Sequence, residues 1–114
     1  MIAVIFEVEL REGRTSDYLE LAKQLYPIAE KIDGFISIER FESLVQPGKL
    51  LSLSIWRDEE AVRKWRNVAE HRQAQHEGRN GIFSNYRLRI ASVMRDYGMQ
   101  DRDEAPADSK AAHS

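Results

Sequence analysis

Four segments of the chain have the hydrophobic pattern of β-strands. Residues 2–10 are almost continuously apolar and rich in Val, Ile and Phe, which predicts a strand buried on both faces at its start. Residues 35–42 and 50–56 alternate between apolar and polar side chains, and Pro47-Gly48 predicts the turn of an antiparallel hairpin between them. Residues 82–97 also alternate, which predicts a fourth strand or a strand with a bend.

The segment after the first strand has the spacing of an amphipathic helix. Apolar side chains recur at intervals of three and four over residues 18–32. Pro27 lies within this pattern and predicts a kink or a division of the helix near Tyr26. Asp33-Gly34 predicts its end, because glycine readily adopts the left-handed conformation that follows a helix. Side chains able to cap its N-terminus are those of Thr15, Ser16 and Asp17.

A second helical segment follows the third strand. Asp58 is its candidate N-cap, and apolar positions on one side are Ala61, Val62, Trp65, Val68 and Ala69. Residues 55–79, which include this helix, hold both tryptophans and two of the three histidines. We therefore expect the chemistry of the protein to be concentrated in this stretch.

The order of the elements predicts an α+β fold of the ferredoxin-like type, βαββαβ. Both helices would cover one face of a four-stranded antiparallel sheet, although the first strand is apolar on both of its faces. The second face therefore needs a partner, and sheet packing in a homodimer is the simplest one. The domain is predicted to span residues 1–98. Residues 99–114 are predicted to form a disordered tail, because no large apolar residue occurs from Gln100 onward.

Composition excludes several classes of function. The chain of 114 residues has no cysteine, which rules out disulfides, thiolate catalysis and cysteine-ligated metal sites. A formal net charge of −2 gives no indication of nucleic-acid binding. The apolar run after Met1 is too short for a signal peptide or a membrane span, so we expect a cytoplasmic protein without membrane attachment. Glycine-rich nucleotide loops, a nucleophile elbow and the metal-binding H-E-x-x-H spacing do not occur, so no metal, flavin or nicotinamide site is predicted.

Several strings resemble the antibiotic biosynthesis monooxygenase (ABM) domain family. The strongest are W-R-D-E-E-A-V-R-K-W at residues 56–65, E-H-R-Q-A-Q-H-E-G-R at residues 70–79 and N-Y-R-L-R-I-A-S-V-M-R-D-Y at residues 85–97. The chain is similar in particular to small bacterial members grouped with haem-degrading monooxygenases. The resemblance covers roughly residues 1–98 and implies a dimeric α+β barrel. Some family members oxidise polycyclic aromatic compounds with O₂ and no metal or flavin, and others bind haem and open its macrocycle.

Two histidines compete for a role in the pocket that the resemblance implies. On an unbroken helix, His76 lies about 20° from Trp65 on the same face, whereas His71 points about 120° to one side. Periodicity therefore favours His76. The resemblance favours His71, where the recurring histidine of this subgroup falls, while the haem ligand of haem-degrading relatives comes later, closer to His76. Both remain candidate catalytic residues.

The remaining candidates are aromatic and polar side chains of the second helix, the third strand and the fourth strand. Trp65 would wall the pocket, and Trp56 would pack across the dimer or under a helix. Alternation places Asn85 and Arg87 on one side of the fourth strand and Tyr86 on the other. We consider Asn85 a third catalytic candidate, and the candidate substrate-binding residues are Trp65, Trp56, Arg87 and Tyr86.

The leading hypothesis is a small dimeric ABM-type monooxygenase that oxidises an electron-rich aromatic or enolic molecule with O₂, without metal or flavin. His71 or His76 would be the base, and Asn85 or Arg87 would hold the substrate anion. One alternative is a haem-binding, haem-degrading monooxygenase in which one of the two histidines is the axial ligand. Another is a non-catalytic homodimer that binds a small apolar metabolite.

Overall fold

A computed structural model describes residues 1–77 and 81–112, with the backbone alone for residues 74–77. Its elements in chain order are β1 (Ile2–Leu10), α1 (Thr15–Glu30), β2 (Phe35–Glu42), β3 (Lys49–Trp56), α2 (Glu59–Glu77), β4 (Phe83–Ser92) and α3 (Ala107–Ala112). The strands form a four-stranded antiparallel sheet in the order β2-β3-β1-β4. This arrangement confirms the predicted ferredoxin-like α+β fold.

The strand register gives the sheet two distinct faces. Directly opposed residues share a face, and Val4 opposes both Ser54 and Ile90. The helix face, covered by α1 and α2, carries Ile2, Val4, Phe6, Ile38, Arg40, Ser52, Ser54, Trp56, Tyr86, Leu88 and Ile90. The outer face carries Ala3, Ile5, Glu7, Leu51, Leu53, Ile55, Arg87 and Arg89. As predicted, the apolar and serine positions of β3 lie on opposite faces.

The core lies between the helix face and the two helices. Trp56 is fully buried there, at 0% exposure, and packs beneath α2. The buried side chains around it are Val4, Leu21, Leu25, Ala29, Ala61, Val62 and Trp65. Burial of this many large apolar side chains is the main stabilising contribution to the fold. The choice left open for Trp56 is thereby decided in favour of packing under a helix.

A tight turn brings the end of α1 close to α2. Gly34 has a φ of +100°, a left-handed conformation that side chains disfavour. A Cβ atom added at Gly34 would lie 2.8 Å from the Cβ of Ala61. The Gly34 carbonyl also accepts a 2.8 Å hydrogen bond from the Arg57 amide just before α2. Glycine is therefore required at this position by both conformation and space.

The two helices begin differently. Asp58 caps α2 as predicted, since its Oδ1 accepts a 3.0 Å hydrogen bond from the Ala61 amide. At α1 the predicted capping is wrong, because Thr15 already belongs to the helix and the N-cap residue is Arg14, without a side-chain capping bond. Pro27 does not divide α1. It lies on the exposed side, where the carbonyl that loses its amide donor can be hydrated.

The fourth strand is shorter than predicted, and the tail has local structure. β4 ends at Ser92 because Ser92 opposes Ile2, the first residue of β1, and no partner strand continues beyond it. Residues 99–112 contain a short helix, α3, where composition predicts disorder. Within this segment the Arg102 guanidinium donates hydrogen bonds to the Gly98 carbonyl and to the carbonyl and hydroxyl oxygens of Ser109. Within the described residues, no helix is long and apolar enough to cross a membrane.

Candidate active-site cavity

A cavity of about 400 Å³ lies between the helix face of the sheet and the two long helices. Its volume is within the range of small-molecule sites, about 300–1,000 Å³. Its apolar lining comes from every layer of the fold and includes Val4, Phe6, Leu21, Leu25, Val62, Trp65, Ala69, Phe83, Leu88 and Ile90. The cavity therefore suits a compact, largely apolar ligand.

Trp65 forms one wall of the cavity and is held from behind by the core. Its ring stacks on that of Trp56, with centroids 5.6 Å apart and an angle of 28° between the planes. The Trp56 indole N–H donates a 2.9 Å hydrogen bond to the Ser54 hydroxyl. Trp56 itself does not line the cavity, so it positions Trp65 and does not reach a ligand directly.

The cavity is open along β4. Tyr86, Leu88 and Ile90 line it but are 57%, 44% and 47% exposed. The Tyr86 ring packs against Phe6, with ring centroids 5.6 Å apart, and against Phe83 at 6.3 Å. A ligand therefore has an apolar entrance beside an aromatic cluster.

Polar side chains line the cavity in two groups. The group on the sheet consists of Arg40 of β2 and Ser52 of β3, which are opposed in register, and Ser54 of β3. Arg66, Glu70 and Gln73 lie on the helix side, along α2. The apolar walls between the two groups leave few places where a polar atom of a ligand can form a hydrogen bond.

The two histidines are not equally placed. His71 is exposed on α2 and does not line the cavity, as its helical offset from Trp65 predicts. His76 belongs to the α2 backbone, but its side chain lies outside the described residues. The described lining of the cavity thus contains no imidazole.

Asn85 and Arg87 are not brought into the cavity. Both lie on the outer face, where Asn85 opposes Glu9 and Arg87 opposes Glu7. Hydrogen bonds from Gln46 and then from Asn85 lower the pKa of Glu9, which shows that the Asn85 amide is engaged on that face. Of the predicted site residues, the structure places Trp65 and Tyr86 together in the cavity, supported by Trp56.

The shifted pKa values of the described residues belong to surface pairs and to the cap of α2. Arg57 makes 3.1 Å contacts with both Asp33 and Asp58. It lowers the pKa of Asp33, while the pKa of Asp58 is lowered first by the hydrogen bond from the Ala61 amide and then by Arg57. Arg63 likewise lowers the pKa of Glu60. These charged pairs stabilise the helix ends and do not form a reactive centre. The described residues also form no cluster of three or more His, Asp or Glu side chains that could hold a metal ion.

Sequence reasoning missed the polar residues of the cavity, which are Arg40, Ser52, Ser54, Arg66, Glu70 and Gln73. The signal for Arg40 was present, because it lies two residues after Ile38 and therefore shares its face of β2. Sequence reasoning correctly placed Ser52 and Ser54 on the face of β3 that does not carry Leu51 and Leu53. Because serine is polar, it gave no indication that the helices cover the serine face.

Comparison with known sequences identifies related proteins. A sequence model of the family "antibiotic biosynthesis monooxygenase" matches residues 1–77. A protein of the fungus Pyricularia oryzae named jasmonate monooxygenase ABM is 46% identical over 93 residues, which cover 82% of this chain. Those residues span only 43% of the fungal protein's own length.

Solved structures share the fold at low sequence identity. A crystal structure of an MhuD mutant with two manganese protoporphyrin IX molecules per active site has a TM-score of 0.67 and 19% identity, covering 86% of this chain and 99% of that chain. A mutant of SnoaB from Streptomyces nogalater, described as a cofactor-independent oxygenase, has a TM-score of 0.67 and 7% identity, covering 83% and 94%. At these identities the likeness establishes the architecture alone.

Proposed function

Because the chain belongs to the antibiotic biosynthesis monooxygenase family, we propose that its cavity is the substrate chamber of a cofactor-independent monooxygenase. The observation that carries this proposal is the apolar cavity of about 400 Å³ walled by Trp65 and entered beside Tyr86. The substrate class is an electron-rich phenol or enol. Such a molecule fits apolar walls and can itself reduce O₂ once it is deprotonated.

The proposed reaction converts an activated methylene group to a carbonyl group. A base removes a C–H or O–H proton, and the resulting anion transfers one electron to O₂. The substrate radical and superoxide then combine to a peroxide, which loses water to leave the carbonyl. The balance is R₂CH₂ + O₂ → R₂C=O + H₂O, so the substrate supplies all four electrons. Apolar walls favour this course because they exclude water from the anion.

In this proposal the residues have separate roles. Trp65 and Tyr86 hold the planar substrate, and Trp56 keeps the Trp65 ring in place. His76 is the proposed base, on the strength of its helical spacing from Trp65, and His71 is the competing candidate. Neither Asn85 nor Arg87 is assigned to the substrate, since both lie on the outer face.

We also propose that the outer face is covered by a second copy of the chain. This face combines Ile5, Leu51, Leu53 and Ile55 with the pair formed by Glu7 and Arg89, whose charged atoms are 3.2 Å apart. Self-complementary packing of two such faces would bury the apolar side chains and leave the ion pairs at the edge. Asn85 and Arg87 would then contact the partner, which gives the homodimer a structural basis.

Oxygen consumption tests the proposed function. An oxygen electrode is used with a panel of enolisable anthrones, naphthols and jasmonate, the last because the fungal relative carries that name. We expect at least one substrate to consume O₂ above background, with a large loss in His76→Ala and in Trp65→Ala and little change in His71→Ala. If His71→Ala abolishes uptake and His76→Ala does not, the assignment of the base is wrong. If members of the panel bind to the protein but none consumes O₂ above background, the protein is a non-catalytic binding dimer.

Haem degradation is the alternative within the family. A haem held by a proximal histidine needs an imidazole directed into the cavity. His76 has the helical spacing for this role, but its side chain lies outside the described residues, so no step is assigned to haem. Titration with hemin separates the two functions, because a stoichiometric Soret shift that disappears in His76→Ala would favour the haem-binding alternative.

A further inference from the structure

We propose that Arg40 binds the carboxylate of an amphipathic substrate, so that the ligand class of the cavity is a small apolar monoanion. This inference deepens the proposed function and rests on it for the role of the cavity. It comes from four features of Arg40, namely its position, its burial, its lack of a counter-charge and the surface beside it.

Arg40 projects from an edge strand onto the helix face. Its neighbour across the hairpin is Ser52, whose side chain is buried and also lines the cavity. The guanidinium carbon lies 6.0 Å from the centre of the buried Tyr18 ring. A guanidinium, a hydroxyl and an aromatic ring therefore meet at one end of a chamber with otherwise apolar walls.

Arg40 is half-buried, and one donor of its guanidinium is enclosed without a partner. The Nε atom of Arg40 is inaccessible to solvent and has no hydrogen-bond partner among the described residues. Arg40 also forms none of the ion pairs found among those residues. A buried charged donor left unsatisfied is costly, by about 1–3 kcal/mol or more. A carboxylate ligand would remove this cost, because a guanidinium presents paired donors that match its two oxygens.

The surroundings favour an anion with its charge at the edge of the cavity. Arg40 also borders a groove on the other side of α1, which is lined by Leu19, Ala22, Lys23, Tyr26 and Pro27. Lys23 adds a second positive charge there. Glu70, the acidic residue of the described cavity lining, lies on α2 and forms no ion pair with Arg40 among the described residues. A carboxylate at Arg40 would thus be partly hydrated through the groove, with its apolar portion between Leu21, Leu25 and Trp65.

Calorimetric titration under nitrogen tests this inference without requiring turnover. Decanoate and decan-1-ol are used as probes, since both have the same apolar chain and one has a carboxylate. The variants are Arg40→Gln, which removes the charge, Arg40→Lys, which keeps it, Arg66→Gln at the cavity-lining arginine of α2, and Arg63→Gln. The last is a charge-matched control on the exposed side of α2, where Arg63 pairs with Glu60.

We expect Arg40→Gln to weaken decanoate binding about ten- to hundredfold and to change decanol binding by less than about twofold. Arg40→Lys should retain part of the affinity for decanoate, and Arg63→Gln should retain all of it. Preserved decanol binding shows that the chamber of Arg40→Gln is still folded. The inference is overturned if the wild-type protein does not bind decanoate at millimolar concentration, if both probes lose affinity equally, or if Arg66→Gln causes the larger loss.

The result separates this inference from the proposed function. If carboxylate selectivity depends on Arg40 and no substrate consumes O₂, the oxygenase proposal fails and the anchor stands. If a neutral phenol is oxidised equally well by the wild-type protein and by Arg40→Gln, and decanoate affinity is unchanged, the anchor fails and the oxygenase stands.

Discussion

Trp65 stacks on Trp56, and the two rings lie 5.6 Å apart with an angle of 28° between them. This contact joins the wall of the cavity to the centre of the core. Trp56 is in turn fixed by the hydrogen bond from its indole to Ser54 and by an edge-to-face contact with Phe35, at 5.4 Å between ring centroids. The shape of the cavity is therefore determined by core packing, which makes several consequences measurable.

Ser54→Ala should destabilise the protein by about 1–3 kcal/mol, because it leaves the buried indole N–H of Trp56 without an acceptor. Ser52→Ala is the matched control, two residues earlier on the same face of β3, and should change the free energy of unfolding by less than about 1 kcal/mol. Urea unfolding followed by tryptophan fluorescence measures both variants. Equal destabilisation by the two variants would mean that the hydrogen bond is not the cause.

Gly34→Ala should be much more destabilising than Gly48→Ala. Both glycines have positive φ angles, of 100° and 80°, so both substitutions incur the conformational cost. At Gly34 the new Cβ would also lie 2.8 Å from the Ala61 Cβ, whereas at Gly48 it meets nothing within 4 Å. We expect about 2–4 kcal/mol for Gly34→Ala and about 1–2 kcal/mol for Gly48→Ala in chemical denaturation. A similar loss in both variants would show that α1 and α2 can separate to make room.

The stability contributed by Asp58 should disappear in acid. The Ala61 amide and then Arg57 lower the pKa of Asp58 in the folded protein below its ordinary value of 3.8. A carboxyl group whose pKa is lowered by folding stabilises the fold at pH values above its unfolded-state pKa. This contribution is lost as the pH falls through the folded-state pKa. The difference in Tm between wild type and Asp58→Ala should be constant from about pH 5 to 7 and shrink below about pH 4.

Asp58→Asn is the control for this effect, because asparagine keeps the capping oxygen and removes the titrating group. At neutral pH the Tm of Asp58→Asn should be close to that of the wild type. Its Tm should change less with pH than the Tm of the wild type. A difference between wild type and Asp58→Ala that persists unchanged at pH 2.5, a value about one unit below the ordinary pKa, would contradict the prediction.

Dimerisation through the outer face predicts that a charge at its centre will separate the subunits. Leu53 opposes Ile5 near the middle of that face, so Leu53→Lys should convert a dimer to a monomer. Leu44→Lys is the control, since Leu44 is fully exposed in the β2–β3 loop at 102%. Light scattering at micromolar concentration measures the mass. A monomeric wild type, or a dimer that survives Leu53→Lys, would contradict sheet packing.

Sequence reasoning predicted the element order and which side chains of a strand share a face, because alternation and helical spacing depend on local positions. It correctly placed Trp56 and Leu53 on different faces of β3, and Asn85 and Tyr86 on different faces of β4. It did not predict which face the helices cover. That choice depends on packing between distant elements, and Leu51, Leu53 and Ile55 of β3 lie on the face without helices.

The same limit applies to the cavity. Arg40 could be assigned to the face of Ile38, but its burial depends on Tyr18 and α1, which are distant in sequence. The end of β4 depends on where β1 begins, and not on the residues after Ser92, which still alternate. Family resemblance indicated the type of chemistry, while the positions of Asn85 and Arg87 required the sheet register.

Isotope labelling tests most directly whether the cavity carries out cofactor-independent oxygenation. Protein treated with a chelator and freed of haem and flavin is incubated with ¹⁸O₂ and an anthrone, and the quinone product is analysed by mass spectrometry. One ¹⁸O atom per carbonyl formed, one O₂ consumed per substrate, and loss of both in Trp65→Ala are the expected results. Product that contains only oxygen from water, or turnover that appears only after hemin or a metal is added, would contradict the proposed function.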